Sequence, residues 1–285
     1  MDGVTWTRQA DLDRPVLIAA FRGWNDGGEA ASTAAAYLRD RWGGEPLADI
    51  DPDGFLDFQM TRPTVRLEAG ITRRIEWPEL RFSVARVDGR DVVVFLGIEP
   101  NVRWRAFVEK FVATVAEIGV GEVVTLGAFL ADVPHTRPTP VTGLAVDPER
   151  SKELGLTSSR YEGPTGIVGV IHDAMARDGF AASSLWGAVP HYLPGGPNPK
   201  AALALVQKIG ALTGLPAATD TLERAAGSWE AQVTSTIAEN AELSAYVRRL
   251  EELAGVREGP SEIPSGEVLA EELERFLRDQ RGESS

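Results

Sequence analysis

The sequence predicts an α/β fold with a mostly parallel central sheet, helices on both faces and an acidic helical extension at the C-terminal end. Three observations carry this prediction. Short, nearly continuous apolar runs rich in β-branched residues recur along the chain, segments of helical spacing alternate with them, and the composition shifts at Gly214-Leu215-Pro216. Continuous apolar runs suit strands covered on both faces. Strand–helix alternation is the pattern of parallel strands joined by helical crossovers.

The elements follow in chain order. The run 16–21 (VLIAAF) reads as a strand and 30–42 as the helix after it. Segments 55–58 (FLDF), 64–67 (TVRL) and 82–86 (FSVAR) alternate around turn signals, which predicts an antiparallel excursion or edge strands. The run 92–98 (VVVFLGI) is a strand followed by a helix over 102–118, and 123–129 (VVTLGAF) is the third buried strand. A helix over 166–177 precedes the fourth strand, 185–189 (LWGAV), and a helix over 198–213 follows it. No internal repeat is visible.

Beyond residue 216 the chain becomes helical and charged. From Asp220 to Ser285 there are 7 Lys/Arg and 15 Asp/Glu, a net of 7 − 15 = −8. Leu222, Ala226, Trp229, Val233, Thr236, Asn240, Leu243, Val247 and Leu250 form one stripe at helical spacing, suited to packing on another surface. Asn240 interrupts the stripe and can cap a second helix, giving an αα-hairpin. A linker over 255–264 leads to Ser265, an N-cap candidate for a last amphipathic helix with Leu269, Leu273, Phe276 and Leu277 on one face. The expected organisation is an α/β core over 1–216 and an acidic helical extension over 217–285 packed on it.

Composition narrows the function classes. The 285 residues are 43% apolar, enough for a sizeable core, and the formal charge is 29 − 42 = −13. That balance, with no Lys/Arg run to oppose it, leaves no expectation of a nucleic-acid partner. The chain has no cysteine, which removes disulfides and cysteine-based zinc sites and is compatible with a reducing compartment. The start, Met1-Asp2-Gly3-Val4, lacks a secretory signal pattern, and no stretch approaches the ~20 apolar residues of a membrane span. A cytoplasmic protein with no membrane association, metal or cofactor is expected.

Candidate chemistry sits at strand ends. Residues 23–28 (GWNDGG, with Asp26) follow a strand and open a helix; this is either an anion site on helix amides or simply a tight βα turn. The spacing matches neither the P-loop nor the dinucleotide fingerprint. Residues 99–104 (EPNVRW) bring Glu99 and Arg103 to the edge where open α/β sheets bind ligands, or else only start a helix, with Asn101 as its cap. Residues 134–138 (PHTRP) and 190–192 (PHY) place His135, Arg137 and His191 after two further strands; His172 lies in a helical pattern and reads as structural. Residues 161–166 (YEGPTG) add Tyr161 and Glu162, and 198–200 (NPK) add Lys200. No Gly-x-Ser-x-Gly elbow and no His-Glu-x-x-His accompany them. Asp26, Glu99, Arg103, His135, Arg137, Tyr161, Glu162, His191 and Lys200 are the candidate ligand-binding set, with an anionic ligand favoured. The same cluster also fits a polar subunit interface.

Together, 21–28 (FRGWNDGG), 97–104 (GIEPNVRW), 134–138, 159–166 (SRYEGPTG), 190–192, 198–200, 250–252 (LEE) and 264–267 (PSGE) resemble the proteasome assembly chaperone family in its actinobacterial form. The resemblance covers nearly the whole chain. It implies a three-layer αβα core like that of nucleoside phosphorylases and related hydrolases. It also implies a homo-oligomer, a trimer being the expected form, and protein partners that are proteasome-related or other. Some relatives end in a hydrophobic–tyrosine–any-residue tail that docks on the proteasome; this chain ends Arg281-Gly282-Glu283-Ser284-Ser285 and lacks it. Two functions stand side by side: a non-enzymatic assembly or interaction protein, and a small-molecule binder or phosphorylase- or hydrolase-like enzyme using the strand-end cluster. A fold alone does not choose between them.

Overall fold

The computed structural model describes residues 3–9, 11–68, 72–153, 162–193 and 195–257. Tyr161 and the expected last helix after Ser265 lie outside the described residues. In chain order the elements are β1 (Val4–Trp6), β2 (Val16–Arg22), α1 (Ala30–Arg41), β3 (Glu45–Ile50), β4 (Thr64–Glu68), β5 (Thr72–Glu76), β6 (Arg81–Val87) and β7 (Arg90–Ile98). Then come α2 (Trp104–Ile118), β8 (Glu122–Ala131), β9 (Val141–Ala145), α3 (Pro148–Glu153), α4 (Ile167–Arg177), β10 (Ala181–Pro190), α5 (Pro199–Thr213), α6 (Asp220–Ala238) and α7 (Ala241–Arg257).

Eight strands form one sheet in the order β1-β3-β6-β7-β2-β8-β10-β9. Its centre, β7-β2-β8-β10, is parallel, and these are the four apolar runs read as buried strands. The flanking strands are antiparallel. β2 is the middle of the array: Val16 stands opposite Val92 on one side and Glu122 on the other. All four parallel strands therefore end on the same edge.

Helices cover both faces, giving three αβα layers. On one face the alanine side of α1 (Ala30, Ala31, Ala34, Ala35) and Leu205, Val206 and Ile209 of α5 pack on Ile18, Val94, Val124 and Leu185. Small residues let α1 lie close to the sheet. On the other face α2 and α4 pack on Leu17, Ala19, Phe21 and Val93. Phe107 and Phe111 of α2 join an aromatic group there: Phe21–Phe95 at 4.9 Å, Phe82–Phe95 at 4.7 Å and Phe95–Phe111 at 4.9 Å between centroids. Edge-to-face and tilted contacts of this kind add to area burial.

The expected αα-hairpin forms. The Leu243 amide donates to Asn240 Oδ1 at 3.0 Å, and the Ser244 hydroxyl donates to the Ile237 carbonyl at 2.8 Å, turning α7 back along α6. Leu222 and Ala226 of α6 and Val247 and Leu250 of α7 are buried. Trp42 Nε1 donates to the Pro216 carbonyl at 2.9 Å, and the Tyr37 hydroxyl donates to the Ala218 carbonyl, so α1 holds the segment that enters α6.

Two local readings are corrected. Residues 55–58 are not a strand: the Phe55 and Leu56 amides both donate to the Pro52 carbonyl at 2.9 Å in a helical turn, with both side chains buried. Two adjacent apolar residues can be buried on one side of a turn as well as along a pleat. Nor does Asn101 cap α2; its Oδ1 accepts from the Asp57 amide at 2.8 Å and the Thr61 hydroxyl at 3.3 Å, while Arg103 enters the helix in the left-handed region at φ 55°. Segment 64–67 pairs with β5 in a separate two-stranded sheet.

Candidate functional site

The loops after β2, β7, β8 and β10 gather on one edge, and their polar residues fall into two clusters. The first surrounds the helix N-termini of α1 and α4. Asp26 is 7% exposed, and its Oδ1 accepts from the amides of Ala31 at 2.9 Å and Ser32 at 3.1 Å. Its Oδ2 is buried without a partner, and burial raises its pKa against the lowering effect of those hydrogen bonds. Glu99 bridges two elements: Oε1 accepts from the Ile167 amide at 2.8 Å and Oε2 from the Trp24 amide at 3.1 Å. Asn25 Oδ1 accepts from the Val168 amide at 3.3 Å. The carboxylates and the amide oxygen thus take the helix-terminal donors that would otherwise receive an anion. Glycines make room for this. A Cβ on Gly166 would stand 2.0 Å from Asn25 Oδ1, and one on Gly23, at φ 135°, would stand 2.8 Å from Glu99 Cβ.

The second cluster lies after β8 and β10, under the αα-hairpin. His135 is 3% exposed. Its amide and its Nδ1 both lie 2.8 Å from the Tyr192 hydroxyl, and its Nε2 lies 3.1 Å from Thr234 Oγ1 on α6. The amide can only donate, so the phenol oxygen accepts from it, and with the ring neutral the phenol hydrogen goes to Nδ1. Nε2 then carries the ring proton and donates to Thr234, whose hydroxyl donates to the Glu230 carbonyl at 2.8 Å. This chain satisfies both nitrogens of a neutral imidazole. Burial lowers the pKa of His135, Glu230 opposes that and Lys200 adds to it. Burial also pushes the Tyr192 hydroxyl up to about 12, keeping its donor proton. Lys200 donates to the His135 carbonyl at 2.6 Å and pairs with Glu230.

His191 is nearer the surface. Its Nδ1 is 3.1 Å from Asp132 Oδ1, and its ring stands edge-on to Tyr192 at 5.8 Å and Tyr246 at 5.7 Å. Beside it a groove of about 380 Å³ runs between residues 132–140 and α7, with Arg137 and Arg249 among the residues that line it.

The structure therefore brings His135, His191 and Lys200 together through Tyr192 and the hairpin, with Arg137 at the adjoining groove. Asp26 and Glu99 belong to the other cluster. Arg103 goes elsewhere, its guanidinium over the Phe55 ring at 5.7 Å. Glu162 is exposed. His172 has its Nδ1 buried without a partner and its pKa lowered by burial. Tyr192, Thr234, Glu230 and Tyr246 were not foreseen. Tyr192 was adjacent to His191 in sequence, and the Glu230/Thr234 spacing places both on one side of α6, but nothing local says which loop that side meets. Among the described residues no group of three His, Asp or Glu side chains is placed to hold a metal ion, and no helix is long and apolar enough to cross a membrane.

The family model described as the PAC2 family matches residues 20–237. A PAC2 family protein from Streptomyces avermitilis is 47% identical with a TM-score of 0.76, covering 82% of this chain and 99% of its own. A proteasome-assembly chaperone homologue from Mycobacterium tuberculosis is 44% identical with a TM-score of 0.74, covering 81% and 99%. A Mycobacterium tuberculosis protein of unknown function is 26% identical with a TM-score of 0.82, covering 90% of each chain. No curated protein matches.

Proposed function

This chain belongs to the PAC2 family, and on that premise we propose that it is a non-enzymatic, self-associating interaction protein with an assembly-chaperone-like role. The observation that carries the reading is the state of the strand-end polar groups. Asp26 Oδ1 and Glu99 Oε1 accept from the amides that open α1 and α4, Glu99 Oε2 accepts from Trp24, and both ring nitrogens of His135 are engaged by Tyr192 and Thr234. A general base must reach a substrate proton, and a buried, doubly bonded neutral imidazole does not. The phosphorylase- or hydrolase-like alternative would need that histidine free.

Apolar exposure supports the same reading. The β4–β5 hairpin stands apart from the main sheet and exposes Val65 (53%), Leu67 (60%), Ile75 (51%) and Trp77 (56%). Val65 and Ile75 face each other across the ladder, and Leu67 lies two residues along on the same side. A two-stranded hairpin is marginal in water without cover. A second copy of the chain provides that cover in the self-associated form that the family implies. The relative from Mycobacterium tuberculosis is described as a proteasome-assembly chaperone homologue, which supports proteasome subunits as the first partners to test.

The test is light scattering of the purified chain and of Leu67→Glu/Ile75→Glu, with co-purification of each against recombinant proteasome subunits. The expected result is an oligomer, a trimer by the family's implication, that the double substitution dissociates, and subunit capture by the unsubstituted chain. A mass equal to the 30.7 kDa chain at micromolar concentration would overturn self-association. Turnover of a nucleoside or ester substrate that is lost in His135→Ala would overturn the non-enzymatic reading.

A further inference from the structure

The groove beside His191 has one wall from the loop after β8 and the other from α7. Val133, Pro138, Leu250 and Leu253 supply apolar surface; Arg137 and Arg249 supply positive charge against one carboxylate, Asp132, whose Oδ1 lies 3.1 Å from His191 Nδ1. Leu253 is 53% exposed although it lies in a helix that buries Val247 and Leu250. An apolar strip flanked by guanidinium groups suits a segment that is itself apolar on one side and acidic on the other.

The chain carries such a segment. Residues 258–285 follow α7, whose final turn is beside the groove. They hold 8 Asp/Glu and 3 Arg, a net of 3 − 8 = −5, with Leu269, Leu273, Phe276 and Leu277 at helical spacing. Seven residues lie between Arg257 and Ser265, giving eight Cα–Cα steps. An extended chain spans about 3.3–3.6 Å per residue, so the connection reaches roughly 26–29 Å. Leu253 lies one turn before the end of α7, about 6 Å along its axis. The connection therefore has slack to reverse direction, and Gly259, Pro260, Pro264 and Gly266 are residues that turns use. A tethered segment also meets its site at high effective concentration.

We propose that this groove is the docking site of the chain's own residues 265–277, seated by their leucines and Phe276 between Arg137 and Arg249. The segment is an intramolecular cover that any outside partner for the groove must displace. This goes beyond the interaction role proposed above and does not depend on it.

The absence of cysteine in the natural sequence makes disulfide trapping a clean test. Full-length Leu253→Cys/Leu273→Cys is oxidised with glutathione disulfide, beside Asp173→Cys/Leu273→Cys as control. Asp173 is 68% exposed on α4, across the sheet from α5. The expected result is an intramolecular bond at monomer mass in the first pair, formed at least about tenfold faster than in the control. Adding Arg137→Glu and Arg249→Glu is expected to remove most of that advantage. Equal rates in the two pairs, or a rate unchanged by the arginine substitutions, would overturn the proposal. So would a crosslink found only between chains, which would give the groove to a second copy.

Discussion

His135 Nε2 and Thr234 Oγ1, 99 residues apart in sequence, lie 3.1 Å apart and join the loop after β8 to α6. Through that contact the fold of the strand-end loop depends on the helical hairpin. Thr234→Val keeps the shape of the side chain but leaves the imidazole N–H without its acceptor, an effect of ~1–3 kcal/mol for a buried donor. Thr234→Val is expected to lower the denaturant midpoint with the slope unchanged. A double-mutant cycle with His135→Ala should show a coupling of roughly 0.5–3 kcal/mol. A coupling of zero in urea titrations would disconnect the two residues.

Acidification should loosen the same contact. The folded-state pKa of His135 is lowered from 6.5 by burial, so the unfolded chain takes up the proton first. The histidine's contribution is fully present above 6.5 and is lost as pH falls through its lower folded value. His172 is lowered in the same sense. Melting measured at pH 7.5 and 5.5 should show a fall for the unsubstituted chain that is smaller in His135→Gln. Protection against hydrogen exchange, corrected for the intrinsic pH dependence of the rate, should fall first over α6 and α7 at the lower pH. The same fall in both chains would remove His135 from the account.

Gly166→Ala should destabilise the β2–α4 junction. The added methyl would meet Asn25 Oδ1 at 2.0 Å, and Asn25 is 4% exposed, so it has little room to withdraw. Overpacking of this kind costs about 1–3 kcal/mol. Gly43→Ala is a useful comparison, since nothing lies within 4 Å of its added carbon and only its positive φ of 68° opposes the change. Thermal melting should show the larger loss at Gly166.

Glu99→Gln tests the anion placed between two elements. The neutral amide keeps one acceptor oxygen where Glu99 offered two, to Ile167 and to Trp24. Losing a charge-assisted bond at a helix N-terminus costs roughly 1–3 kcal/mol. The expected result is lower stability with faster exchange at the Ile167 amide. Unaltered exchange there would mean that solvent replaces the carboxylate freely.

Much of the fold was legible because its signals are local. The four parallel strands are continuous apolar runs, α5 begins at Asn198, whose side chain accepts from the Ala201 amide at 2.9 Å, and α7 begins at Asn240. The flanking strands were harder. β3 carries Pro46 and a register shift near it, and β9 is five residues of intermediate and buried positions without a continuous apolar run. The site was legible only in outline. Parallel strands bring their ends to one edge, which predicted the company of His135 and His191 but not the hairpin above them. Which loop Thr234 meets is decided by packing of α6 on α5, a contact between surfaces that sequence periodicity describes one at a time. The placement of Arg103 was hidden for a related reason: its neighbour Phe55 comes from a segment that reads as a strand.

The carboxylates of Asp26 and Glu99 occupy the helix starts that would attract a free phosphate. A diffusing anion leaves such a place at a rate set by its affinity and returns at a rate set by its concentration. A carboxylate on the chain's own backbone has no such dependence. Millimolar phosphate, nucleotide or sulfate would have to evict a competitor that is always present, so resonances of the Ala31, Ser32 and Ile167 amides should stay fixed through such a titration. By this account the edge is expected to keep its shape whatever the small-anion content of its surroundings.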